Sequence, residues 1–452
     1  MKPSASSASS DCTRLPVAVL LALFLTGAVL PAEPVDHFAD NGFAKPLSTM
    51  QHPCAEYFKG VTYIAYQGPH EDPYVCAYNH ATRTWTGPVK AGTSTLGKTP
   101  DPTVPDEVDN HGRPALLVDA DGYIHLVFGG HGGSWLQGRN PLGTPGSGRQ
   151  THVVSKNPED ISSWEVLANI PPSGTYSQFV KIPDGDIYLF YRHGSHRSDW
   201  VFQKSTDQAR TFAPPVSILK HQPQAANPIV HDAWYAWFHE GPGDKIAMTF
   251  NYHPCASVGH KKSRYNVYYM QMSCADESWR NVRGEAVTLP VTKELADRQT
   301  LVADTGAEGV HMGVCRMDGD GRPHLYARQG AGQVRYYRWT GEAWQGPTVV
   351  TEESKSQDGD FEIESPLKIR MVLSQTVAGK GEASWWKTTN GGLHWEKDGC
   401  LRSAENTAFL LSALVRNAHP DARVVVSELK NGQDNLYRKM FLIGDHGPVK
   451  RE

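Results

Sequence analysis

Two histidines flanked by glycines are the first candidates for chemistry. His111 lies in the segment Asp109-Asn-His-Gly-Arg-Pro114, and His131 lies in Phe128-Gly-Gly-His-Gly-Gly133. Glycine beside a histidine lets the backbone bend sharply and lets a ligand come close. Both imidazoles could therefore act on a substrate near neutral pH. The alternative for each is a turn histidine that is held by backbone groups.

A tyrosine and an arginine form a second candidate pair. Tyr176 lies at a strand start in Gly174-Thr-Tyr-Ser-Gln178, and Arg192 ends the aromatic strand that follows. An arginine inside such a strand needs an anionic partner to offset its burial. Packing is the alternative role for Tyr176. A four-stranded blade could bring both side chains to one rim.

The elements that must position these residues are short β-strands. Residues 123–128 and 267–272 alternate as half-buried strands do. Turns rich in Gly, Asp, Asn and Pro separate such segments, and no amphipathic helical pattern longer than two turns is evident. The sequence therefore predicts an all-β protein.

A weak internal repeat indicates which all-β architecture to expect. Residues 119–126, 182–189 and 317–325 each place an Asp-Gly turn before a strand, as a hairpin requires. Residues 205–212 and 388–395 resemble the Asp-box, a scaffold feature of BNR-repeat propellers. The repeats divide the chain into units of roughly 50–60 residues, which predicts a seven-bladed β-propeller of four-stranded antiparallel blades, with six or eight blades as alternatives. The units are expected to begin near Gly60, His111, Tyr176, Trp234, Val310, Phe361 and Ala408.

An apolar run near the N-terminus predicts export. Lys2 and Arg14 precede the run LPVAVLLALFLTGAVL at residues 15–30, which has the layout of a secretory signal peptide. A retained membrane helix is the alternative. We therefore expect residues 1–32 to be a leader and residues 33–452 to form a single propeller domain. The mature protein would be secreted, extracellular or periplasmic, without stable membrane association.

Composition limits the partners. The chain has 44 Lys and Arg against 48 Asp and Glu, so nucleic acid is not an expected partner. Any basic groups that hold an anionic substrate must be local. Cys12 lies in the leader, and the other six of the seven cysteines are too few for a disulfide scaffold in so long a chain. We expect a monomer.

The candidate segments together carry a family resemblance. The succession NHGRP, GGHGG, GTYSQ and YLFYRHGSH resembles the BNR-4 type propellers of the ulvan lyases, polysaccharide lyase families twenty-four and especially twenty-five. His111, His131, Tyr176 and Arg192 match that family's active-site motif in order and spacing. The resemblance implies an enzyme that cleaves ulvan, an anionic sulfated polysaccharide, by β-elimination.

Such a lyase removes the C5 proton of a uronic acid and expels the group on C4. The carboxylate must be neutralised and the enolate-like charge stabilised by fixed donors, and Arg192 suits this because it binds carboxylate in bidentate fashion. We assign Tyr176 and His111 as the acid/base pair, and His131 as the group that stabilises the carboxylate or orients its neighbours. Which of the pair takes the proton stays open, as do glucuronate or iduronate preference and endo or exo cleavage.

An aromatic strand offers the candidate substrate contacts. Residues 229–239 carry several aromatic side chains at strand spacing, of which alternate ones would be core. Trp234 or Tyr235 could face the central funnel and stack on a sugar. We assign Tyr235, together with Asn110, to substrate binding.

A further group of residues indicates a metal. The His-x-Cys pattern at residues 253–255 places two ligands at one strand end, which zinc tolerates when two more N or S ligands approach. The similar lyases contain a structural zinc. The resemblance therefore implies a structural zinc and no organic cofactor, with the ligand set His196, His253, Cys255 and Cys274 and the alternates His193, His239 and His260. A Cys255–Cys274 disulfide is the competing interpretation.

Two other functions compete with the lyase. Asp-boxes also occur in sialidases, but that chemistry needs three arginines and a Tyr/Glu pair, and the N-terminal Arg-Ile-Pro motif is absent from this sequence. A carbohydrate-binding propeller without activity is the other. The presence of His111, Tyr176 and Arg192 in register counts against it.

Overall fold

The computed structural model describes residues 34–98, 103, 107–131, 140–144, 148–256, 264–330, 332–351, 359–429 and 437–452. Within these ranges the chain is mostly β-strand, which confirms the all-β prediction. The predicted leader and the alternate zinc ligand His260 lie outside the described residues. None of the helices in these ranges is long and apolar enough to cross a membrane.

The strands follow one another along the chain with short turns between them. The first five are β1 (Ala39–Gly42), β2 (Ala55–Phe58), β3 (Val61–Gln67), β4 (Pro73–Asn79) and β5 (Thr84–Lys90). The next eight are β6 (Ala115–Val118), β7 (Ile124–Phe128), β8 (Thr151–Ser155), β9 (Trp164–Leu167), β10 (Thr175–Lys181), β11 (Ile187–Arg192), β12 (Trp200–Ser205) and β13 (Val216–Leu219). A short 3-10 turn, Pro69–Glu71, lies between β3 and β4.

The middle of the chain carries six strands and an α-helix. The strands are β14 (Gln222–Pro223), β15 (Val230–Gly241), β16 (Lys245–Ala256), β17 (Tyr265–Ser273), β18 (Trp279–Arg280) and β19 (Leu301–Ala303), with α1 (Lys293–Gln299) before β19. Eight strands follow, β20 (Val310–Met317), β21 (Pro323–Gln329), β22 (Gln333–Trp339), β23 (Trp344–Thr351), β24 (Gly359–Ser365), β25 (Lys368–Val377), β26 (Lys380–Thr388) and β27 (Glu396–Ala404). The last four are β28 (Ala408–His419), β29 (Ala422–Leu429), β30 (Arg438–Gly444) and β31 (Gly447–Pro448).

The prediction of seven four-stranded blades is wrong. Five sheets are separate blades of consecutive strands, namely β6–β9, β10–β13, β14–β19, β20–β23 and β24–β27, and the third of them has six strands. The strands from the two ends of the described chain form one nine-stranded sheet. Its halves are joined where Glu56 on β2 pairs in parallel with Arg416 on β28. The first and last repeats merge because backbone hydrogen bonding, and not repeat length, decides where a sheet ends.

Strands of neighbouring sheets contact one another in a closed series. β6 contacts β10, β10 contacts β15, β15 contacts β20, β20 contacts β24, and β24 contacts β28, while β2 contacts both β28 and β6. Most predicted unit starts fall on or beside these strands. Side chains at their N-terminal ends, such as Tyr176 on β10, therefore come from distant parts of the sequence to one place.

The repeated Asp-Gly phrase has a common structural cause. In the turn before β7, Asp119 accepts a hydrogen bond from the N–H of Tyr123 at 2.8 Å and lies 3.3 Å from Nε2 of His125. In the turn before β21, Asp318 stands 3.3 Å from Nε2 of His324 in the same way. The Asp and His of the repeat form a buried pair under the hairpin, so these histidines belong to the scaffold.

The two Asp-box segments also serve the scaffold. Oδ1 of Asp207 accepts from the N–H of Thr211 at 2.8 Å, in the turn between β12 and β13. Oδ1 of Asn390 accepts from the N–H of His394 at 3.0 Å, in the turn between β26 and β27. Asparagine replaces aspartate there without loss of the turn because it keeps the accepting oxygen.

Candidate active site

The loop that carries His111 is held by a buried carboxylate. Glu71, which is 4% exposed, accepts hydrogen bonds from the backbone N–H groups of Asn110 at 2.8 Å and Asp109 at 3.2 Å. Asn110 has a φ of 62°. Its Oδ1 accepts a hydrogen bond from the Lys45 N–H at 3.1 Å. The amide oxygen of Asn110 thus holds the loop, and contact with substrate stays a prediction for this residue.

One carboxylate joins the two predicted histidines. Asp109 accepts a hydrogen bond from Nδ1 of His111 on Oδ1 and one from Nδ1 of His131, at 2.9 Å, on Oδ2. The two imidazole rings stack with centroids 3.9 Å apart and planes 11° apart. Donation through Nδ1 leaves a lone pair on Nε2 of each neutral ring. The three side chains also meet the distance requirement of a metal site.

Burial sets the protonation of this group. Burial lowers the pKa of His111 to about 4, although its hydrogen bond to Asp109 acts in the opposite direction. Burial by itself would raise the pKa of Asp109, but the hydrogen bonds from His111 and His131 outweigh it and hold that pKa far below its usual range. At neutral pH a carboxylate therefore supports a neutral His111 imidazole, which is able to accept a proton on Nε2.

Tyr176 is directed into the site by an irregularity in β10. The pairing with β11 shifts register between Thr175 and Gln178, and Tyr176 has a φ of 62°. Such bulges re-aim side chains and are found near active sites. The phenol ring lies 5.9 Å from the His111 ring, edge to face. Burial, and next the charge of Tyr235, raise the pKa of Tyr176, so its hydroxyl keeps its proton at neutral pH.

Arg192 is a buried cation beside the tyrosines. It is 0% exposed, and its Nε donates to the backbone oxygen of Gly194 at 3.4 Å. Nη1 and Nη2 have no hydrogen-bond partner among the described residues. Its Cζ lies 4.9 Å from the ring centroid of Tyr176 and 5.4 Å from that of Tyr235. Two buried donors on one planar cation suit a carboxylate.

Tyr235 has two arginines near its ring. It is 3% exposed, its ring is 5.6 Å from that of Tyr176, and Cζ of Arg264 lies 3.7 Å from its ring centroid. Burial by itself would raise the pKa of Tyr235, but the charges of Arg264 and then Arg192 outweigh it and lower that pKa. The predicted substrate contact thus lies with the predicted acid/base group, next to a second cation.

Sequence reasoning missed three residues of the site. Asp109 stood inside the quoted motif but received no role. Gln51 is 1% exposed and donates from Nε2 to the backbone oxygen of His111 at 2.5 Å, and no local pattern marked it. Arg264 ends the short basic run at residues 261–264, which was the available signal for a local cation.

A cluster of possible metal ligands lies beside the histidine pair. One ligand atom from each of His196, His253 and Cys255 lies within 4.8 Å of the others. His253 and Cys255 are two residues apart on β16 and so project from the same face. The ring of His196 is 5.7 Å from that of His253 and 5.9 Å from that of His131. Three of the four predicted zinc ligands therefore come together.

Cys274 is wrong both as the fourth ligand and as a disulfide partner. It directly follows Ser273, which pairs with Lys245 at the start of β16, whereas Cys255 lies near the end of that strand. Ten residues of extended strand separate these ends by roughly 30 Å. Neither cysteine is in a disulfide. The sequence spacing could not show that a hairpin carries the two thiols to opposite ends of the blade.

The described alternates have other partners. Nδ1 of His193 contacts Oδ1 of Asn140 at 2.9 Å. Nε2 of His239 contacts the guanidinium of Arg316. Neither histidine joins the cluster of His196.

The sequence has close relatives of known activity. The model of the BNR_4 family, described as a BNR repeat-containing family member, matches residues 61–351. The chain is 45% identical to an ulvan lyase of Nonlabens ulvanivorans, over 92% of this chain and 90% of the relative. It is 43% identical to an ulvan lyase of Alteromonas sp. (strain LOR), over 92% of this chain and 88% of the relative.

Solved structures agree with these relatives. A PL25 ulvan lyase bound to GlcA(1-4)Rha3S has a TM-score of 0.88 and 41% identity, over 93% of this chain and 98% of that chain. The polysaccharide lyase Uly1 has a TM-score of 0.60 at 14% identity, over 93% of this chain and 94% of that chain. The second likeness concerns the fold alone.

Proposed function

The chain belongs to the BNR repeat-containing family that includes the ulvan lyases and is a polysaccharide lyase, and we propose that it cleaves ulvan by β-elimination at a uronic acid. The observation that carries this proposal is the buried guanidinium of Arg192, whose two terminal nitrogens have no hydrogen-bond partner among the described residues. Such a cation is costly to bury unless an anion arrives to meet it. The carboxylate of a uronic acid is that anion.

Arg192 binds and neutralises the carboxylate. Its planar fork matches the two oxygens, and Arg264, which also contacts the ring of Tyr235, adds positive charge to the same region. Because the C5 proton is only weakly acidic, the charge that develops on the carboxylate as the proton leaves must be stabilised by donors already in place. Buried donors do this best because they need no reorganisation.

His111 is the base in this proposal, and Tyr176 is the acid. His111 has a lone pair on Nε2 because burial lowers its pKa to about 4. When it takes the C5 proton, the imidazolium that forms is stabilised by Asp109 on Nδ1. Burial raises the pKa of Tyr176, so this phenol still holds the proton that the leaving oxygen on C4 requires. The C5–H and C4–O bonds break, a C4=C5 double bond forms, and water takes no part.

The assay is the ultraviolet absorbance of the unsaturated uronate, with mass spectrometry of the products. Ulvan should gain this absorbance without added metal, and a parallel panel of heparan sulfate, chondroitin sulfate, alginate and pectin should respond less. A response to another polymer in the panel and none to ulvan would refute the substrate. Products that carry an added water in place of a double bond would refute the mechanism and favour a hydrolase.

A structural zinc at His196, His253 and Cys255 is the second part of the proposal. Two imidazoles and a thiol within 4.8 Å of one another are a donor set that zinc prefers. The ion would tie β16 to the segment that follows β11, and Arg192 is the last residue of β11. The ion would thus help to hold the guanidinium of Arg192 in place. No proton transfer is assigned to the ion.

A further inference from the structure

Three side chains outside the active site meet near the seam of the nine-stranded sheet, which is the junction where β2 pairs with β28. His80 follows β4, His419 ends β28, and Asp421 lies in the turn between β28 and β29. One ligand atom from each lies within 4.8 Å of the others. β4 and β28 come from opposite ends of the described chain, so this group of residues spans the junction that closes the molecule.

The surroundings of His80 leave one of its ring nitrogens available to a metal. Its Nε2 lies 2.9 Å from Oγ1 of Thr62, and its Nδ1 is buried with no hydrogen-bond partner among the described residues. Tyr57 and Tyr78 pack edge to face on the ring, with centroids 5.4 Å and 4.9 Å away. The tautomer that donates from Nε2 to this hydroxyl carries a lone pair on Nδ1. Metal-ligating histidines are oriented by this kind of contact at the other nitrogen.

His419 brings a second imidazole to the same point. Its ring centroid is 4.2 Å from that of His80. Its Nδ1 accepts a hydrogen bond from the Asp421 N–H at 3.2 Å and lies 3.7 Å from Oδ2 of Asp421. A metal ion between these rings would bind one nitrogen of each.

His446 supplies a further donor at the edge of the group. It lies between β30 and β31, its side chain is 86% exposed, and its Nε2 is 3.8 Å from Oδ1 of Asp421. Because that side chain is almost wholly in solvent, it can rotate toward a bound ion at little cost in packing.

We propose that His80, His419 and Asp421, with His446 as the fourth donor, bind a divalent transition metal of the zinc type that fastens the closing seam. Three imidazoles and one carboxylate suit zinc and its neighbours and do not suit calcium or magnesium, which take oxygen ligands. The ion links the turn after β4 to the turns after β28 and β30. It binds the folded chain and so stabilises it against opening between the two ends.

Cobalt distinguishes this site from the one at Cys255. The full-length mature protein is stripped with chelator and titrated with Co²⁺ alone, and the bound metal is counted after dialysis. Wild type should bind two equivalents and show a thiolate-to-cobalt charge-transfer band from Cys255. Cys255→Ser should keep one equivalent with d–d bands only, because the seam offers nitrogen and oxygen donors.

The seam variants give the reciprocal result. His419→Ala should retain the charge-transfer band and lose the second equivalent, with affinity at the seam falling by roughly 100-fold or more. His446→Ala should weaken the seam less, by about tenfold. The exposed His394, in a turn between β26 and β27, provides the control, and His394→Ala should bind as wild type does. Unchanged ulvan turnover in each seam variant verifies that it is folded.

Two results overturn the proposal. One is wild-type protein that binds a single equivalent, all of it lost in Cys255→Ser. The other is His419→Ala that keeps both equivalents. If Cys255→Ser does not fold, the comparison of wild type with His419→Ala decides alone.

Discussion

Replacement of Arg192 by methionine removes the buried guanidinium and keeps most of the side-chain length. Each terminal nitrogen, which lacks a partner in the described protein, is expected to donate one charge-assisted hydrogen bond to the uronate, worth about 1.5–3 kcal/mol. Two such bonds sum to about 3–6 kcal/mol. At about 1.36 kcal/mol for each factor of ten, kcat/KM on ulvan should fall by roughly 10²–10⁴-fold. Arg192→Lys keeps the charge without the fork and should recover part of the loss.

The same substitution should leave the protein without substrate at least as stable as wild type. Arg192 is 0% exposed and its terminal nitrogens have no hydrogen-bond partner among the described residues, so methionine replaces a buried cation that forms no ion pair there. Thermal melts and initial rates of unsaturated-uronate absorbance measure the two effects on one preparation. If Arg192 binds substrate and does not stabilise the fold, Arg192→Met should lose activity and keep its Tm.

Arg316 provides the matched control. Its Nη2 lies 2.9 Å and 3.0 Å from the two oxygens of Asp360. Arg316→Met leaves that carboxylate, which is 10% exposed, without its cation and should cost about 2 kcal/mol of stability. Its kcat/KM for each folded molecule should stay within about threefold of wild type. Near-normal kcat/KM in Arg192→Met, or destabilisation equal to that of Arg316→Met, would refute the reasoning.

Three more outcomes are expected. Tyr176→Phe should fold and bind ulvan, as calorimetry would measure, while kcat from initial rates falls by about 10²–10⁴-fold. The double variant with His111→Ala should be little less active than either single variant, because the two residues act as a unit. The acid limb of kcat/KM should lie near pH 4, because the base works when neutral and the pKa of His111 is lowered to about 4 from 6.5. An acid limb near pH 6.5 would contradict the assignment of His111 as the base. The stability that the neutral form of His111 contributes is complete above pH 6.5 and is lost as pH falls through about 4. Cys255→Ser should lower zinc content and Tm together, measured by metal analysis and thermal melts; a metal-free protein of wild-type Tm and full activity would contradict the structural zinc.

Local chemistry made part of the fold predictable. The Asp-Gly turns before β7 and β21 could be predicted because the residues that build them are neighbours in sequence, with Asp119 and His125 six positions apart. The Asp-box turn at Asn390 could be predicted for the same reason. The number of separate sheets could not be predicted, since it depends on the pairing of Glu56 with Arg416, which no local pattern encodes.

The candidate site divides in the same way. The amino-acid sequence by itself determined which residue types were present in which order: His111, His131, Tyr176 and Arg192, each marked by its own few neighbours. Tertiary structure alone decided that Asp109 bridges both imidazoles and that Arg264 lies over Tyr235. It also carried Cys274 to the far end of its hairpin, away from Cys255. These relations depend on the paths of strands that are distant in sequence. The hydrogen bonds and burial that fix those paths also set the pKa of each group, and they exist only once the chain has folded.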